Sequence, residues 1–201
     1  MKKLLLSLLF FLLYSGVAFA GNQCNIVEQY AKTSGDKIFG KGFPWWYLVG
    51  QAKQESNCRW VSSSDGWGSV GWFQLTPKML ESVLRPVFPH YDKMGEQHVM
   101  AAVYYLRILQ RDNPSKRLWV TFQMYNGGGS VLNECRRAGN WKWENCLGQC
   151  RRGMVCVWKS GGVCREYRSA CDINYEYSLN VWKYGLRYKP MGVGDGNYLF
   201  W

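Results

Sequence analysis

The cysteines constrain this chain most. There are eight; six lie between Cys135 and Cys171, while Cys24 and Cys58 stand apart near the start. An even number of thiols behind an export-like segment points to structural disulfides, which persist outside the reducing cytosol. The simplest pairing joins Cys24 to Cys58 and puts three bridges inside the cluster, whose connectivity the sequence leaves open. Zinc is the competing use. The cluster has no Cys-x-x-Cys pair and the two histidines, His90 and His98, precede it, so neither a metal nor a redox cofactor is expected.

Lys2 and Lys3 precede an apolar run from Leu4 to Leu13 broken only by Ser7, and Ala18-Phe19-Ala20 offers a small-x-small cleavage site. Residues 1–20 therefore read as a signal peptide. The run is short for a membrane span, so none is expected after cleavage, and the product is expected to be periplasmic or secreted. Residues 21–187 read as one domain with its own core, bearing a cysteine-rich insertion at 132–171, and residues 188–201 as a C-terminal tail. The formal charge of +11 stays strongly positive once Lys2 and Lys3 are set aside. Such a charge draws polyanions. Export argues against nucleic acid and for a cell wall with its peptide carboxylates and phosphates.

Hydrophobic periodicity makes the class mainly α. Asn25 with Glu28 suggests a capped helix from Ile26 to about Lys32, and Gly35, Gly40 and Gly42 suggest a loop. Pro44 suits the first turn of a second helix, whose inward face is Trp45, Leu48, Val49, Ala52 and Ser56, with Glu55 on its border. A third helix spans Glu96 to Asp112, with Val99, Ala102, Val103, Leu106 and Leu109 buried. A fourth spans Leu118 to Met124, and a last one, capped near Asp172 or Asn174, presents Tyr177, Val181 and Tyr184. The stretch from Cys135 to Cys171 shows no helical period.

Against this frame, Gln54-Glu55-Ser56-Asn57 puts a carboxyl at the end of an apolar helix. Gly68-Ser69-Val70-Gly71-Trp72-Phe73-Gln74 follows as a glycine-punctuated loop, and Tyr125-Asn126-Gly127-Gly128 lies far downstream. A carboxyl on the edge of an apolar face can hold its proton at neutral pH and act as a general acid. Most glycosidases pair such an acid with a second carboxylate. Asp65 is the only nearby candidate; Glu81 and Asp92 are more distant. The ordinary alternative for Glu55 is a solvated surface group, for Gln74 a turn-stabilising amide, and for Tyr125 and Asn126 a helix end.

Together these pieces resemble the catalytic core of soluble lytic transglycosylases and goose-type lysozymes. Glu55-Ser56 looks like the family's Glu-Ser pair and Ser64 like its loop serine. Gly68, Gly71 and Gln74 match its Gly-x-x-Gly-x-x-Gln spacing, and Ala102 to Leu109 is similar to its Ala-x-x-Tyr-Leu-x-x-Leu helix. Tyr125-Asn126-x-Gly128 resembles its Tyr-Asn-x-Gly segment, and Tyr177-x-x-x-Val181 the end of a Glu-Thr-Arg-x-Tyr-Val motif, here preceded by Ile173-Asn174-Tyr175. The resemblance implies a lysozyme-like fold and cleavage of the MurNAc–GlcNAc bond in peptidoglycan. Glu55 would be acid and then base, Ser64, Gln74, Tyr125 and Asn126 would line the cleft, and Tyr177 would hydrogen-bond Glu55. It implies a 1,6-anhydromuramic product with no metal. The alternatives are a hydrolase using Asp65 to position water, and a non-catalytic wall-binding protein. Trp67, Trp72, Trp141 and Trp143 are candidate sugar-stacking walls or core residues. The insertion, with Arg136, Arg137, Arg151 and Arg152, is a candidate cleft wall or a docking surface for a secretion, conjugation or pilus apparatus.

Overall fold

The computed structural model describes residues 24–63, 68–88 and 95–200. The expected signal peptide at 1–20, Ser64, Asp65, Trp67, His90 and Asp92 lie outside the described residues. Helices dominate: α1 (Asn25–Phe39), α2 (Trp46–Ser56), α3 (Pro77–Met79) running into a π-turn at Leu80–Leu84, α4 (Glu96–Asp112), α5 (Leu118–Gly127), α6 (Ser130–Ala138), α7 (Trp143–Gly148) and α8 (Ala170–Gly185), which ends in a 3-10 turn at Leu186–Tyr188. One antiparallel hairpin, β1 (Met154–Ser160) with β2 (Val163–Ser169), interrupts them.

Four disulfides close the chain: Cys24–Cys58, Cys135–Cys146, Cys150–Cys171 and Cys156–Cys164. The expected bridge outside the cluster and the three within it are all present. Such bridges point to an oxidising, extracytoplasmic location. Among the described residues, no helix is long and apolar enough to cross a membrane.

Three helix expectations need correction, the simplest being α8, which is capped by the Ser169 hydroxyl accepting the Asp172 N–H rather than by Asp172 or Asn174. The first helix runs on through Gly35 to Phe39, and Cys24 rather than Asn25 occupies its N-terminal cap position. Gly35 sits inside it because a Cβ there would press on the Phe43 ring at 3.0 Å; it makes room for the chain entering α2. The cysteine-rich stretch is also not free of helix. It contains α6 and α7, and one face of α6 buries Val131, Glu134 and Cys135. Bridges supply much of the local order there, so the apolar period that reveals a helix is short and weak.

The core is aromatic, with Trp46, Tyr47, Phe43, Phe73, Trp119, Phe122 and Tyr175 fully buried. At its centre α2 crosses α8 with unusually close backbones. A Cβ on Gly50 would run into the Val181 carbonyl and the backbone of Gly185, and one on Gly185 would meet Tyr47 and the Trp46 carbonyl. This glycine pair lets side chains farther along each helix meet directly. Glu55 on α2 and Tyr177 on α8 are such a pair.

Candidate active site

Glu55 is the penultimate residue of α2, which stops at Asn57 in a left-handed cap (φ 57°). Asparagine tolerates that conformation, and it turns the chain into the loop that forms the opposite wall. Ser56 ties the two together, its hydroxyl donating to the Trp72 carbonyl at 2.9 Å. Short bridges from Ser62 to Val70 and from Val70 to Leu75 fold the loop back on itself. Gln74 (φ 48°) finishes it, donating its amide to the carbonyls of Gly71 at 2.7 Å and Val61 at 3.1 Å. The bland role for Gln74, a turn-stabilising amide, is thus real, and the same residue also lines the cleft.

That cleft has a volume of about 410 Å³. Glu55, Ser63 and Ser69 line one part of it, and Gln74, Tyr125 and Asn126 another. Thr76 and Met79, which no motif singled out, complete the lining. Among the described residues lining it, Glu55 is the carboxyl amid neutral hydroxyl and amide groups. As a whole residue Glu55 is half-buried, but its carboxyl lies deeper than that implies, and desolvation pushes its pKa up to about 7. The last turn of a helix is also a poor place for an anion. One interaction opposes the rise: the Tyr177 hydroxyl donates to Glu55 Oε1 at 2.5 Å and favours the charged form.

Tyr125 and Asn126 face the cleft from the end of α5. The Tyr125 hydroxyl donates to the Phe73 carbonyl at 2.7 Å, pinning the loop. Asn126 donates to Asn174 Oδ1 at 2.9 Å, Asn174 donates to Gln123 Oε1 at 3.1 Å, and Gln123 donates to Ser178 Oγ at 3.2 Å. This amide ladder fixes α5 against α8. Asn174, from α8, thereby supports the site from behind.

Glu55, Gln74, Tyr125, Asn126 and Tyr177 are thus brought to one place, with Tyr177 buried behind the carboxyl rather than exposed in the cleft. Sequence reasoning missed Gln51, one turn before Glu55, whose amide donates to the Tyr177 hydroxyl at 3.4 Å. Of its two readings, Trp72 takes the core one. It is buried against Tyr30, Trp60 and His98, as an apolar ring behind a tight loop has to be. Trp143 also serves packing, donating its indole N–H to the Tyr175 carbonyl at 3.3 Å with its ring edge-on to Tyr175.

Among the described residues, no group of three or more acidic, histidine or cysteine side chains could hold a metal. No protein-family model matches this chain, and no curated protein matches it.

Proposed function

We propose that this protein is a lysozyme-like lytic transglycosylase that cleaves peptidoglycan glycan strands in the periplasm. The observation that carries the reading is the state of Glu55: a sequestered carboxyl with a pKa near 7, opening onto a polar cleft of about 410 Å³. A carboxyl poised near the working pH is what general acid–base catalysis favours.

In this reading Glu55 gives its proton to the glycosidic oxygen as the bond from C1 of N-acetylmuramic acid breaks. The substrate's own acetamide oxygen supports the positive charge left at C1, a substrate-assisted exception to the two-carboxylate rule. Glu55, now a carboxylate, takes the proton of the muramic 6-hydroxyl as that oxygen closes onto C1. The carboxyl ends as it began and no water is consumed. Among the described residues lining the cleft, Glu55 has no second carboxylate beside it, which suits a chemistry in which a single group serves in both directions.

Mass spectrometry of digested wall tests the proposal. The expected products carry 1,6-anhydromuramic ends, one water lighter than hydrolysis products, and reducing muramic ends would reassign the protein as a hydrolase. Glu55→Gln keeps the shape and the Tyr177 hydrogen bond but removes the titratable proton. Its turnover should drop by about 10³-fold or more. Lysis at the wild-type rate would remove Glu55 from the chemistry.

A further inference from the structure

A second concave site is lined from α6, the helix that follows the cleft residue Asn126 in the chain. Ser130, Asn133, Glu134 and Arg137 recur at helical spacing on one face of α6 and form the floor of a cavity of about 230 Å³, with Arg151 and Arg152 as its wall. Three guanidinium groups and one carboxylate meet there. The carboxylate is fully engaged: Glu134, almost completely buried, accepts both arms of Arg152 at 3.0 and 3.1 Å and the Tyr175 hydroxyl at 2.8 Å. Its two oxygens are spent on Arg152 and Tyr175.

Arg137 and Arg151 are left with no carboxylate partner among the described residues. Backbone carbonyls hold them instead. Arg137 donates to the Gln149 carbonyl at 2.8 Å, and Arg151 to those of Gly148 and Cys150 at 2.8 and 2.9 Å. Capping the end of α7 in this way is their ordinary structural role. It uses one nitrogen of each guanidinium, and each has about five N–H donors in a fixed fork. The Cys135–Cys146 and Cys150–Cys171 bridges hold the α6 floor and the arginine wall in register. Two oriented guanidinium groups facing one cavity, neither in an ion pair among the described residues, suit a carboxylate, since the planar fork matches that anion.

Location suggests the source of the anion. Asn126 lines the cleft and Ser130 lines the second cavity. Four residues of chain separate them, so their Cα atoms are at most about 15 Å apart. A muramic residue in the cleft would carry a peptide that extends over this distance and bears carboxylates. We propose that the Arg137–Arg151 pocket binds a carboxylate of the stem peptide on the glycan strand held in the cleft. This rests on the reading of the cleft as a peptidoglycan site.

The experiment uses the mature protein with Glu55→Gln, so that nothing is turned over. It is titrated with the tripeptide L-Ala-γ-D-Glu-meso-diaminopimelate, and separately with inorganic phosphate, while the arginine Nε–H resonances are followed by NMR. The tripeptide should shift the Arg137 and Arg151 resonances saturably. Amidating its carboxyl groups, or introducing Arg137→Gln with Arg151→Gln, should weaken binding at least about tenfold. Equal affinity for the amidated peptide, or phosphate binding as tightly as the tripeptide, would overturn the proposal. The amidation arm needs no altered protein, so it stands even if the double variant misfolds. Peptide capture by a protein that releases no fragments from the wall would count against Glu55 chemistry and leave the pocket standing.

Discussion

At the scale of residues, the site turns on where one proton sits. The Tyr177 hydroxyl accepts a hydrogen bond from Gln51, so its own hydrogen is directed to Glu55 Oε1. With Oε1 occupied as an acceptor, the acid proton of Glu55 belongs on Oε2, free for the substrate. Because this hydrogen bond favours the carboxylate, Tyr177→Phe should raise the Glu55 pKa above its present value of about 7. The alkaline limb of kcat/KM against pH should then move up by about one pH unit; a limb that stays put or moves down would refute the link. The motif made Glu55 and Tyr177 legible because family spacing marks both. Gln51 was not, because its partner lies 126 residues away and a glutamine on an apolar helix has no signature.

At the scale of elements, the loop carrying Gln74 is braced by α4. The Phe73 N–H donates to His98 Nε2 at 3.3 Å, and the His98 ring packs edge-on against Trp60. Gly71 (φ 81°) lies so close to this ring that a Cβ would collide with it. Burial lowers the His98 pKa from 6.5 to about 4. The folded protein thus refuses a proton that the unfolded chain accepts. The stability this gives is complete above about pH 6.5 and is lost as pH falls towards 4, a loss on the order of 2 kcal/mol. Glu55, whose pKa is raised, has the opposite sign over much of the same window, so the measurement belongs in the Glu55→Gln background. Urea unfolding from pH 7.5 to 4.5 should show the decline, and adding His98→Gln should flatten it. Equal slopes in the two proteins would dismiss His98 as the cause. Of these elements, α4 was legible to the residue because its buried stripe is long and regular. The loop's turns were legible from its glycines, but the histidine beneath them was not, since a lone His in an apolar stripe carries no periodic signal.

At the scale of the molecule, the site depends on how α2 and α8 are clamped, and the clamp includes the end of the chain. The tail at 188–201 shows no period, yet its described part packs inward at Tyr198 and Phe200. Phe200 is 3% exposed among Tyr47, Phe122 and Trp182, and the Leu118 N–H donates to the Leu199 carbonyl at 3.2 Å. Asp195 accepts the Tyr47 hydroxyl at 3.2 Å and the Lys189 ammonium at 2.8 Å. One aromatic anchor at the end of an irregular strap makes no pattern, so only the fold reveals it. The strap lies on the residues that form the Gly50–Gly185 crossing, and this crossing sets the approach of Tyr177 to Glu55. Phe200→Ala would open a cavity there and should cost about 3–4 kcal/mol, lowering Tm by roughly 10 °C. Leu199→Ala next to it removes a side chain from a residue that is 63% exposed and should change stability by no more than about 0.5 kcal/mol. Thermal unfolding of the two variants checks the contrast. If they melt together, the strap is not part of the core, and the Glu55–Tyr177 pair is held by the helix crossing alone.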